Sequence, residues 1–189
     1  DTSGNIYAAG YQYGNAAFTY SGQSVTGAFA GGTNVLLVKY DSSGTALWAR
    51  TVSAGAANAS AFRALAVDPV GNVYAAGYQT GTGMFSYGGQ NATGTYSGEN
   101  VLLVKYNSSG TAQWARTVSA GANTSQFYSV ATDSSGNIYA AGIQTLNGTY
   151  TYGTQNATGT ASGTNNCVIV KYDSSGTALW ARTVTSGSD

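Results

Sequence analysis

The same blocks of sequence return at nearly constant intervals along this chain, which restricts it to repeat architectures. Trp48, Trp114 and Trp180 are equally spaced, and Lys39, Lys105 and Lys171, like Arg50, Arg116 and Arg182, keep the same spacing. The segment VKYDSSGTALWARTVSAG from Val38 returns from Val104 with only Asp41 changed to Asn107 and Leu47 changed to Gln113, and it returns again, nearly as close, from Val170. A second block, DTSGNIYAAG from Asp1, recurs from Asp68 and Asp133. Repeats of such length are single supersecondary units that bury their apolar faces against neighbouring copies. Copies this alike arise by recent duplication, homogenisation or deliberate construction, and the residues alone do not separate these origins.

Within one period, β-branched and aromatic runs are bounded by clusters of Gly, Asn, Asp and Ser, the pattern of short strands. The first complete unit predicts four: Ala61 to Val67, Asn72 to Gln79, Val101 to Tyr106, and Ala112 to Val118. Asp68-Pro69-Val70-Gly71 joins the first pair and Asn107-Ser108-Ser109-Gly110 the second. Both read as tight turns, because Asp or Asn can bond the backbone two residues on and Gly accepts a positive φ. The longer segment between the second and third strands carries Phe85 and Tyr87, matched by Phe18 and Tyr20 and by Tyr150 and Tyr152, and has the makings of an added outer hairpin. No window shows the apolar periodicity of a helix.

A repeated four-stranded meander with a long return is the plan of a β-propeller blade. The run D-x-x-G-N-[IV]-Y-x-A-G, an apolar strand ending V-K-Y, and then D-S-S-G-T-x-x-W-A-R resembles the bacterial β-propeller repeat known as SBBP, over nearly the whole chain. The resemblance implies an all-β propeller of four-stranded antiparallel blades, often in exported or surface-associated bacterial proteins, with no uniform catalytic site. Localisation outside the cell or at its surface follows from that resemblance alone. About three blades, or eleven strands, fit one chain: units 1–60, lacking its first strand, 61–125 and 126–189. A closed propeller needs about four to eight blades, so an isolated wedge of three would expose apolar faces and strand edges. Two expectations follow: the chain is part of a longer array, or copies form a homo-oligomer, two giving about six blades and three about nine.

Composition removes several function classes. Seven basic and seven acidic residues give a formal charge of zero, leaving no field to collect nucleic acid or anionic lipid. The apolar runs are far shorter than the roughly 20 residues that cross a bilayer as a helix. The chain has no His and one Cys, so it lacks the commonest acid/base group and metal ligand and any internal disulfide. Only 7% of the residues are charged, and the carboxylates Asp1, Asp68, Asp133, Asp41 and Asp173 all fall in equivalent turns, with Asn107 replacing the acid in one copy. No cofactor, metal site or catalytic set is expected, and an enzyme is the least supported class.

Three groups of residues remain as candidates. Trp48, Trp114 and Trp180 share a strand face with Arg50, Arg116 and Arg182, which suits either a repeated packing layer or an aromatic platform. The segment Phe18, Tyr20 and Gln23, with its counterparts Phe85, Tyr87, Gln90 and Asn91 and Tyr150, Tyr152, Gln155 and Asn156, combines rings with amides. Sugar recognition uses that combination, so a multivalent glycan-binding protein stands as the alternative to a structural scaffold. Polar cross-strand pairs of an edge hairpin would explain the same residues. Cys167 replaces Val35 and Val101 and is expected in the core. Sequons at Asn58, Asn91, Asn107, Asn123, Asn147 and Asn156 matter only in a eukaryotic secretory pathway. Arg63 and Glu99 are the main charges without repeat counterparts.

Overall fold

The computed structural model describes residues 1–55 and 58–187. Asp189, where the third repeat unit ends, lies outside the described residues. The first unit forms β1 (Ile6–Tyr13), β2 (Ala17–Tyr20), β3 (Gln23–Thr26), β4 (Thr33–Tyr40) and β5 (Ala46–Thr51). The second forms β6 (Ser60–Val67), β7 (Val73–Thr80), β8 (Met84–Tyr87), β9 (Gln90–Thr93), β10 (Glu99–Tyr106) and β11 (Ala112–Arg116). The third forms β12 (Ser125–Thr132), β13 (Ile138–Thr145), β14 (Thr149–Tyr152), β15 (Gln155–Thr158), β16 (Asn165–Tyr172) and β17 (Ala178–Thr183). The protein is all-β, and every strand pairing among the described residues is antiparallel.

The long strands build three sheets in meander order: β1-β4-β5, β6-β7-β10-β11 and β12-β13-β16-β17. The four strands expected of the second unit are all present, with only small shifts at their ends. The segment between the second and third strands of each unit is a separate two-stranded hairpin, β2-β3, β8-β9 or β14-β15. These hairpins raise the strand count among the described residues from the expected eleven to 17. Turn chemistry explains the first two. Tyr20 and Gln23 flank Ser21 and Gly22 at φ 46° and 88°, and Tyr87 and Gln90 flank Gly88 and Gly89 at φ 59° and 89°. Two consecutive positive φ angles make the turn whose twist matches paired strands.

The turns inside each sheet are built around one side chain. Asp68 Oδ1 accepts the Val70 and Asn72 amides at 3.1 and 2.8 Å, and the Gly71 amide, at φ 87°, donates to the Asp68 carbonyl. Asn107 Oδ1 does the same for the Ser109 and Thr111 amides at 3.1 and 2.9 Å. A register shift between Lys105 and Tyr106 adjoins that turn, and it recurs at Lys39/Tyr40 and Lys171/Tyr172.

Because side chains alternate along a strand, each sheet has two apolar faces, and successive sheets stack face to face. One core joins Val35, Leu37, Trp48 and Val52 of the first unit to Val73, Ala75, Leu102, Val104 and Tyr106 of the second. The next joins Tyr74, Val101, Leu103, Trp114 and Val118 to Ile138, Ala140, Val168, Val170 and Tyr172. The outermost face of the first unit holds a smaller cluster of Val38, Ala46 and Ala49 backed by Tyr20, Val25, Leu36 and Tyr40.

Candidate functional site

The junction between units is where the repeat-locked residues converge. Trp48 Nε1 and Lys39 Nζ both donate to the Ser108 carbonyl, at 3.2 and 3.3 Å. Arg50 Nε donates to the Gly110 carbonyl at 2.7 Å, and its terminal nitrogen to the Ser109 carbonyl at 3.1 Å. The next junction repeats this atom for atom: Trp114 and Lys105 donate to Ser174 at 3.2 and 3.0 Å, and Arg116 to Gly176 and Ser175 at 2.8 and 3.1 Å. Three side chains of one unit thus grip the backbone of the turn in the next. Each guanidinium also lies over its own indole, at 5.4, 5.3 and 5.7 Å in the three units, so the same-face pairing expected of Trp and Arg is present. Lys39, Lys105 and Lys171 sit over Tyr7, Tyr74 and Tyr139. At the two internal junctions these cations are occupied by carbonyls and rings, and charged donors make stronger bonds of this kind than neutral ones do.

The gripped turn must be bare. A Cβ on Gly110 would stand 2.8 Å from the Trp48 ring, and one on Gly176 2.8 Å from the Trp114 ring. The indole lies against backbone at both places, a contact only glycine permits.

The turn carboxylates are consumed locally. Asp133 Oδ1 accepts the Ser135 and Asn137 amides, while Oδ2 accepts the Asn137 side-chain amide at 2.7 Å and the Tyr139 hydroxyl at 3.0 Å. Asn137, through its side chain and then its backbone amide, holds the Asp133 carboxyl down at about 2. Asp41 and Asp173 are lowered first by the hydroxyls of Ser43 and Ser175. Asn107 fills the equivalent turn with the same bonds, so the position requires an acceptor oxygen and not a charge. No group of three metal-ligating side chains occurs among the described residues, and no helix there is long and apolar enough to cross a membrane.

The expected sugar platform is corrected by burial. Phe85, Tyr87, Tyr150 and Tyr152 are at most 1% exposed, and a ring with no free face cannot stack on a sugar. The strand period explains the placement: in β8 and β14 the rings alternate with the outward residues Met84, Ser86, Thr149 and Thr151 and point inward onto the sheets. Phe85 lies against the Gly55 backbone and Tyr150 against Gly121. Asn91 and Asn156 are exposed and pair with Ser86 and Thr151, on the side of the hairpin away from the rings, whereas Gln23, Gln90 and Gln155 are half-buried and stand directly across from Tyr20, Tyr87 and Tyr152. In the first unit Tyr20 is half-buried, and Phe18 alone of the six rings is open, at 36%.

Cys167 is likewise a correction, because it is exposed, although Val35 and Val101 at the same repeat position are fully buried. Its face is the one that the first two units cover with the following sheet, and among the described residues nothing covers it in the third. Arg63 lies over the Tyr78 ring, and Glu99 accepts a hydrogen bond from Gln126. These two charges are spent on separate contacts.

Two sets of buried amides were not anticipated. Gln79 donates to the Ala92 carbonyl at 3.0 Å and accepts the Tyr87 hydroxyl at 3.1 Å, and Gln144 does the same with Ala157 and Tyr152. These bonds fasten each outer hairpin to its sheet. Asn100 accepts the amides of Thr95 and Tyr96 and donates to the carbonyls of Gly81, Tyr96 and Gly98, which shapes the loop entering β10. The signal was present, since Gln12, Gln79 and Gln144, and Asn34, Asn100 and Asn166, are polar residues fixed by the repeat inside apolar strands.

An open cleft of about 500 Å³ lies beside the first junction, lined by Arg50, Ser53, Tyr106 and Thr111 among others. The guanidinium there is already bonded to three carbonyls, so the cleft offers a ligand little free charge. No protein-family model matches this chain, and no curated protein matches it.

Proposed function

We propose that this protein is a non-enzymatic β-propeller scaffold of the kind the SBBP-like motifs imply, and that its immediate property is self-assembly into a closed ring of units. One observation carries the reading: positions buried at the internal junctions are open at the two ends. Leu37 and Leu103 are 0% exposed while Ile169, their counterpart, is 37% exposed. On the opposite face, Val73 and Ile138 are 0% exposed while Ile6 is 57% exposed. The two open faces carry the same residue types that already bind each other twice within the chain, so each is a ready partner for the other on a second copy. A head-to-tail contact of this kind closes into a ring when its rotation divides the circle.

Light scattering over a dilution series tests the reading. One chain weighs 19.1 kDa; a species of twice that mass corresponds to a ring of six units, and one of three times that mass to a ring of nine. A folded species that stays at 19.1 kDa at all concentrations rejects self-assembly and leaves further units of a longer chain as the cover for both faces.

A further inference from the structure

Resting on the ring-assembly reading, we propose that successive copies lock through one clamp: Trp180, Arg182 and Lys171 of one copy grip the Asp41–Thr45 turn of the next. The gripping set and the gripped turn stand at opposite ends of the chain, each without the partner that its counterparts have. Among the described residues, Arg182 bonds only the Ala181 carbonyl of its own strand, at 2.8 Å. Its counterparts Arg50 and Arg116 make that same bond and two more each, to the neighbouring unit's turn. Lys171 lies over Tyr139 at 5.4 Å and, among the described residues, reaches no carbonyl of the kind that Lys39 and Lys105 bond.

The receiving turn is already formed. Asp41 Oδ1 accepts the Ser43 and Thr45 amides, each at 2.9 Å, and Gly44 adopts φ 84°, against 78° and 80° at Gly110 and Gly176. A Cβ at Gly44 would meet nothing within 4 Å, whereas at Gly110 and Gly176 the indole fills that space. Ser42, Ser43 and Gly44 therefore present the three carbonyls that Ser108, Ser109 and Gly110 present to the first unit. Around them, exposed Ile6 meets the demand of exposed Ile169 and Cys167 for apolar cover. The occupant these features select is a second copy of this chain.

Two blocked chains test the clamp. Arg182→Glu places a carboxylate against the carbonyls of the turn, and Gly44→Asn fills the indole's seat with a residue that tolerates positive φ. Each alone is expected at the single-chain mass of 19.1 kDa, and an equimolar mixture at twice that mass. In the mixture the gripping face of one chain and the turn of the other are intact, and the remaining two ends are both blocked. Maleimide then labels Cys167 of the Arg182→Glu chain and spares Cys167 of the Gly44→Asn chain, as mass spectrometry of the two chains reads directly. Arg182→Gln repeats the test without the added charge should the carboxylate disturb the sheet. A mixture that stays at 19.1 kDa, or single variants that keep the parent mass and slow labelling, overturn the clamp while ring assembly through another surface stands. A parent protein that is itself monomeric overturns both.

Discussion

The indole of Trp114 rests on the backbone of Gly176, two units meeting where a single added methyl would stand 2.8 Å from the ring. Trp48 and Gly110 repeat that relationship at the first junction. Tight seating of a large ring on bare backbone means the turn and the tryptophan are one packing unit, and neither can change alone.

Gly176→Ala should therefore lower stability by about 2–4 kcal/mol, combining a strained positive φ with an overpacked junction. Gly22→Ala is the matched control. Its φ is 88° and its Cβ would meet nothing within 4 Å, so only the backbone cost of about 1 kcal/mol applies. Urea denaturation of both variants checks the difference.

Two buried tyrosines should respond oppositely to loss of the hydroxyl. Tyr87→Phe leaves the Gln79 side-chain oxygen without the donor now 3.1 Å away, at a cost of about 1–3 kcal/mol. The Tyr106 hydroxyl is buried with no partner among the described residues, so Tyr106→Phe should be neutral or stabilising. Thermal midpoints of the two variants decide it.

Phe85→Ala should act on folding rather than on recognition. Removing a ring that is 1% exposed costs about 3–5 kcal/mol, read as an earlier denaturation midpoint. Titration of the parent protein with simple sugars should give no heat attributable to the buried rings Phe85, Tyr87, Tyr150 and Tyr152, and sugar binding abolished by Phe85→Ala with stability intact would contradict this.

Acid should loosen the turns. The Asp133 carboxyl falls from an ordinary 3.8 to about 2 in the fold, so its contribution is complete above the unfolded value and is lost as pH drops through the folded one. Asp41 and Asp173 shift the same way. Stability should be level from neutrality down to about pH 5 and decline between about pH 4 and 2. Asp133→Asn should shallow that decline, as Asn107 already does for its own turn; denaturation midpoints measured across the pH series test both.

Much of this fold was legible because its determinants are local and repeated. Asp68-Pro69-Val70-Gly71 and Asn107-Ser108-Ser109-Gly110 each specify a turn within one short run, and strands of alternating character follow from them. Burial was harder to read, because it depends on what stands opposite. Cys167 occupies a core position of the repeat, yet only a following sheet makes that position a core. Phe85 and Tyr87 lie in a Gly- and Ser-rich segment beside amides and suggested an accessible surface; the period of two that turns them inward was visible in Met84-Phe85-Ser86-Tyr87. The grip of Arg50 on Gly110 lay beyond sequence reasoning, since it joins a side chain to carbonyls of the following unit, and backbone acceptors leave no mark in residue identity.

The use of carbonyls as the gripped surface has an evolutionary consequence. A lock that engages main chain is indifferent to which copy supplies it, so a whole unit could be added or removed while the Trp, Arg and Lys grip on the neighbouring turn stays the same. Repeats joined in this way can differ in number while every junction keeps one and the same lock.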